Sequence, residues 1–79
     1  MNKEPFRTAD FNISTVLLAS GFELLGIDRS NKRRAEFIFS LSPSLNKTIQ
    51  EYWDDKLNIS PQKIFNTQRL LKTRLYSSN

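Results

Sequence analysis

Between Arg34 and Leu41 the chain reads RAEFIFSL, with Ala35, Phe37, Phe39 and Leu41 at alternate positions and Arg34, Glu36 and Ser40 between them. A period of two puts the first set on one face of a strand and the second set on the other, and the pattern is hard to read in any other way. Phe22 to Asp28 forms a second strand before it. The intervening polar run RSNKR, residues 29–33, has the Ser and Asn expected of a hairpin turn.

A lone hairpin is unstable in water, so its apolar face needs a further strand and a cover of helices. Pro5 to Thr8 is extended in character and supplies the strand, which could lie beside either hairpin strand. Asp10 or Asn12 can cap a helix through Val16, Leu17 and Leu18 that stops at Gly21, the residue favoured for a left-handed C-terminal cap. Two later helices are each announced by Ser-Pro, at Ser42-Pro43 and Ser60-Pro61, where Ser accepts free amide protons and Pro suits the first helical position. The first carries Leu45, Ile49, Tyr52 and Trp53 on one side and can end at Asn58, which tolerates the left-handed conformation. The second carries Ile64, Leu71 and Leu75, with Ile59 and Ile64 at the positions of a hydrophobic staple.

The expected fold class is therefore α+β, in the order strand-helix-strand-strand-helix-helix, with a three-stranded antiparallel sheet covered by helices on one face. Seventy-nine residues suit a single small domain over 1–79, with residues 1–4 and 77–79 as loose ends. The longest apolar run, Val16 to Ala19, is far too short to span a bilayer, and the N-terminal stretch has no apolar secretory core, so a cytoplasmic protein is expected.

The chain has neither cysteine nor histidine, which removes thiolate chemistry, disulfides and the commonest general base and zinc ligand. Its serines have no Gly-x-Ser-x-Gly elbow, and Gly21 and Gly26 stand alone rather than in a phosphate-binding loop. Glu51, Asp54 and Asp55 lie within one helical turn and could in principle hold a hard cation, but a solvated helix face explains them as well. The expectation is a non-enzymatic chain with no cofactor and no metal.

Twelve Lys and Arg against eight Asp and Glu give a net charge of +4, which favours acidic partners. The densest cationic cluster is the hairpin tip, Arg29, Lys32, Arg33 and Arg34, where a two-stranded ribbon could carry its charges to phosphates. Solvation of an ordinary polar tip is the competing reading. A secondary group, Lys63, Arg69, Lys72 and Arg74, lies on the last helix. At about 100° per residue from Ile64, Leu71 and Leu75 fall within about 20°, Lys63 and Arg74 lie on one flank, and Arg69 and Lys72 lie on the other. The face opposite the core is mainly Asn66, Leu70 and Thr73, which weakens a helix-in-groove reading. Phe37 and Phe39 alternate as base-stacking platforms do, but a helical cover would turn them into core. Tyr52 and Trp53 are adjacent, so one can lean outward; Tyr76 sits near the end of the last helix, and an exposed aromatic beside Leu70 would mark a partner surface.

At FRTADF, LLASGFELLGIDRS, RRAEFIFS, YWDDKLNISPQKIF and LLKTRLY the chain resembles a small uncharacterised domain family of bacterial, phage and other mobile-element genomes. The matching positions are Phe6, Thr8, Asp10, Gly21, Phe37, Phe39, Tyr52, Leu71, Lys72, Leu75 and Tyr76. The resemblance implies the same element order and supplies no catalytic or binding residue. The leading expectation is an accessory domain that binds DNA or RNA mainly through charge at the hairpin tip. The alternative is a protein-interaction module, such as a mobile-element protein docking on or inhibiting a larger nucleic-acid enzyme, or a small subunit of an assembly.

Overall fold

The computed structural model describes residues 4–77. Its elements follow the expected order: β1 (Phe6–Thr8), α1 (Phe11–Ala19), β2 (Leu24–Asp28), β3 (Glu36–Phe39), α2 (Leu45–Trp53) and α3 (Pro61–Tyr76). The three strands form one antiparallel sheet in the order β1-β3-β2, so the aromatic strand is central and β1 pairs with β3. Of the ends expected to be loose, residues 1–3 and 78–79 lie outside the described residues. Ser77 is tied back by its N–H, which donates to the Thr73 carbonyl at 3.0 Å.

Register aligns Phe6, Phe39 and Leu24 in one row across the sheet and Thr8, Phe37 and Ile27 in the next. A bulge at Leu25 lets Leu24 and Ile27 share a face despite being three positions apart, and it leaves Leu25 itself exposed. The face so assembled meets the helices in one core, in which Phe37, Phe39, Ile13, Leu17, Leu45 and Leu71 are buried. Phe11 meets Phe37 edge-on with ring centroids 6.1 Å apart.

α1 is the innermost helix. It is buried nearly all round, and it packs against β1, α2 and α3 together. Its two buried hydroxyls are satisfied within the helix, with Ser14 Oγ donating to the Asp10 carbonyl at 2.8 Å and Thr15 Oγ1 to the Phe11 carbonyl at 2.9 Å.

The caps explain where the helices begin and end. Asp10 Oδ1 accepts the Ile13 N–H at 3.0 Å, while Thr8 Oγ1 accepts the Asp10 N–H at 3.0 Å, so the opening Phe-x-Thr-x-Asp is a strand end joined to a cap. Gly21, at φ +99°, ends α1 as expected, with the Phe22 N–H donating to the Leu17 carbonyl and the Gly21 N–H to the Leu18 carbonyl. The same pair of bonds ends α2, where the Lys56 N–H donates to the Glu51 carbonyl and the Asp55 N–H to the Tyr52 carbonyl. The left-handed residue there is Asp55, at φ +59°, and not Asn58. Ser60 Oγ accepts the Lys63 N–H at 3.2 Å and Pro61 opens α3, as Ser60-Pro61 implied.

Three further local expectations are corrected. Ser42 does not cap α2: Pro43 and Ser44 form a turn, the Leu45 N–H donates to the Ser42 carbonyl, and the Ser42 hydroxyl faces that of Ser44 at 3.3 Å. Trp53 is not on the packed side of α2 but 61% exposed, because the helix ends there. Leu41 is also exposed, since β3 ends at Phe39 and the chain turns away toward Pro43 before that position can be covered.

Candidate nucleic-acid interface

Residues 29–35 join β2 to β3, two more than RSNKR, because Arg34 and Ala35 stay out of the ladder. Side chains brace this turn from within. Asp28 Oδ1 accepts the Ser30 N–H at 2.9 Å, Asn31 Oδ1 accepts the Arg33 N–H at 2.9 Å, and the Asn31 carbonyl accepts the Arg34 N–H at 3.2 Å. Lys32, Arg33 and Arg34 stand exposed on the braced turn, and among the described residues none of them forms an ion pair.

Arg29 stands on the same turn and is exposed as they are, but its guanidinium is engaged. Its Nη2 donates to the carbonyls of Arg74 at 2.8 Å, Leu75 at 3.1 Å and Ser77 at 3.4 Å, which satisfies acceptors that the end of α3 leaves open. A cation at this position also faces the negative end of the helix dipole. The hairpin and the C-terminal end of α3 are thereby brought together, and Arg29 and Arg74 share a shallow depression of about 230 Å³ with Ile27 and Ser77.

The carboxylates nearest the tip are held by a residue from the opposite edge of the sheet. Arg7 Nη1 on β1 donates to Asp28 Oδ2 on β2 at 2.9 Å and to Glu36 Oε1 on β3 at 3.1 Å. Since β3 lies between β1 and β2, the Arg7 and Asp28 side chains together bridge two strand spacings, roughly 10 Å. The Ser30 main-chain N–H, then the Ser30 hydroxyl, then Arg7 draw the Asp28 carboxyl down from 3.8 to about 2. Asp28 and Glu36 in turn raise the Arg7 guanidinium above its ordinary value. These carboxylates are therefore engaged by Arg7 rather than by Lys32, Arg33 or Arg34, although Arg34 lines a polar depression of about 160 Å³ with both.

Of the secondary group, Lys63, Arg69, Lys72 and Arg74 are all exposed on α3, on the two flanks of the seam that buries Leu71. Sequence reasoning had singled out Tyr76 near the end of this helix but missed its companion Phe65. Phe65 and Tyr76, 59% and 78% exposed, fall on the flank of Arg69 and Lys72, within about 60° of helical arc at 100° per residue. The spacing 65, 69, 72, 76 was available as a signal, but Phe65 reads as one more apolar residue until its exposure is known. Arg7 was missed as well, although it alternates with Phe6 and Thr8 as Glu36 does with Phe37.

Phe37 and Phe39 are 2% and 0% exposed under the helices, so this face of the sheet is core and offers no stacking platform. Glu51, Asp54 and Asp55 do not converge: Asp54 Oδ1 accepts from Gln50 Nε2 at 3.1 Å, and among the described residues no group of three carboxylates is placed to share an ion. Among those residues, no helix is long and apolar enough to cross a membrane.

No curated protein and no solved structure matches the chain. A family of small domains does match it, over residues 3–77, and that span takes in the capped opening, the hairpin and all of α3. The chain thus belongs to the family described as a domain of unknown function, DUF5659.

Proposed function

We propose that this chain is a cytoplasmic, non-enzymatic module that binds nucleic acid mainly through charge, with Lys32, Arg33 and Arg34 at the hairpin tip as its principal contact. One observation supports the reading above others: three adjacent cations are exposed on a turn held by its own side chains, while the nearby carboxylates are occupied by Arg7. A braced turn loses little conformational freedom when phosphates bind, and cations that have no ion-pair partner among the described residues need break none of those contacts to do so. Arg29 takes no part as a phosphate ligand, because its guanidinium caps α3.

The test is binding of DNA and RNA oligonucleotides measured against salt. Affinity should fall steeply with salt, and replacing Lys32, Arg33 and Arg34 by Ser should flatten the slope by about one unit per lost contact. Unchanged affinity and slope in that variant would overturn the tip assignment. A second reading, a module that docks on a nucleic-acid-processing protein, is supported by the outward Trp53, whose ring lies 5.0 Å from that of Tyr52. Binding to no oligonucleotide at low salt, with a partner protein captured through Trp53, would favour it.

A further inference from the structure

Phe65, Arg69, Lys72 and Tyr76 occupy successive turns of α3 and are all exposed, forming a row in which two aromatic rings bracket two cations. From Phe65 to Tyr76 the row covers twelve residues, and its eleven helical steps make roughly 16 Å. Its own helix carries charge of one sign. α3 contains no Asp or Glu, and none occurs anywhere after Asp55. At its far end, Tyr76 lies in the turn whose carbonyls Arg29 holds, so the row reaches the end of α3 that adjoins the hairpin.

We propose that this row is a binding surface for single-stranded nucleic acid, with unpaired bases stacked on Phe65 and Tyr76 and phosphates set on Arg69 and Lys72. The inference rests on the nucleic-acid reading above and adds to it the class of strand and a second contact. Flat rings accept any unstacked base, while paired bases in a duplex present only their edges, so rings on a helix surface favour single strands. The cations between the rings match a backbone that links successive bases. The pattern suits a second copy of the chain poorly, because two such rows laid antiparallel about their midpoint would set Arg69 against Lys72 with no carboxylate between them.

The experiment is fluorescence anisotropy of the full chain with a labelled oligothymidylate and with a labelled duplex of equal length. The wild type should bind the single strand more tightly. The Phe65→Leu, Tyr76→Leu double variant, which keeps apolar bulk and loses the rings, should lose about tenfold or more in single-strand affinity at an unchanged salt slope. The Phe65→Tyr, Tyr76→Phe variant should restore it. Replacing Arg69 and Lys72 by Ser should flatten the single-strand slope by about 0.7 per cation. Denaturation midpoints should stay near wild type, since all four side chains are exposed.

If the Leu variant binds single strands as well as the wild type while the Lys32, Arg33, Arg34 variant is weakened, the row is refuted and the charge reading survives. If no oligonucleotide binds at low salt, both fall together. Concentration-dependent self-association abolished by the Leu variant, with oligonucleotide binding intact, would reassign the row as an interface between copies.

Discussion

The Arg29 guanidinium donates to the main-chain carbonyl of Arg74 at 2.8 Å, across forty-five positions of sequence. This bond joins the two basic regions of the molecule, the hairpin and the last helix, and it divides the hairpin cations into one that holds the fold and three that face solvent. Replacing Arg29 by Ser should therefore cost about 0.3–1 kcal/mol and fray the last turn of α3. Amide hydrogen exchange of Leu75 to Ser77 would report it. The salt slope of oligonucleotide binding should remain as in the wild type, in contrast to the variant lacking Lys32, Arg33 and Arg34.

Phe39 is wholly buried at the centre of the sheet, paired with Phe6 on one side and Leu24 on the other. Phe39→Ala should cost roughly 3–5 kcal/mol, since the cavity opens where strands on both sides and helices above limit collapse. That is a large part of a small domain's stability, and equilibrium denaturation would measure it. Near-wild-type stability would contradict the core as described.

The two left-handed caps should respond in opposite directions to exchange of glycine. Gly21 sits at φ +99° with nothing within 4 Å of where a Cβ would project, so Gly21→Ala should lose about 1–2 kcal/mol through backbone strain alone. Asp55→Gly removes the strain at φ +59° and should gain up to about 1 kcal/mol, offset in part by the greater freedom of glycine in the unfolded chain. Denaturation midpoints of the two variants should fall on opposite sides of the wild type.

The Asp28 carboxyl has a lower pKa folded than unfolded, so on acidification the unfolded chain takes up its proton first. Its stabilising contribution is complete above 3.8 and is lost as the pH falls through about 2. The difference in denaturation midpoint between the wild type and Asp28→Asn should therefore be constant near neutrality and narrow between these two values. Arg7→Met should show a reduced version of the same dependence, because the Ser30 N–H is the larger cause of the shift.

Much of the architecture was legible because it depends on residues close in sequence. The alternation around Phe37 and Phe39, the Asp10 cap, the Gly21 stop and the Ser60-Pro61 start each act within a few positions, and each does in the structure what its local pattern implied. The candidate site was legible only in part, since a run of cations shows charge without showing what each charge meets. Arg29 and Arg33 look alike in the chain, yet one finds the carbonyls of Arg74, Leu75 and Ser77 at the end of α3 while the other faces solvent.

Alone, the sequence determined the elements, their order and the face of the aromatic strand that would be buried, because helical and strand periods and caps are short-range properties. Only the tertiary structure decided that β1 lies beside β3, that Arg7 reaches over the middle strand to Asp28, and that Phe65 and Tyr76 stay outside the core beside Arg69 and Lys72. Those outcomes depend on which surfaces the packed core leaves adjacent or uncovered, and no stretch of a few residues carries that information.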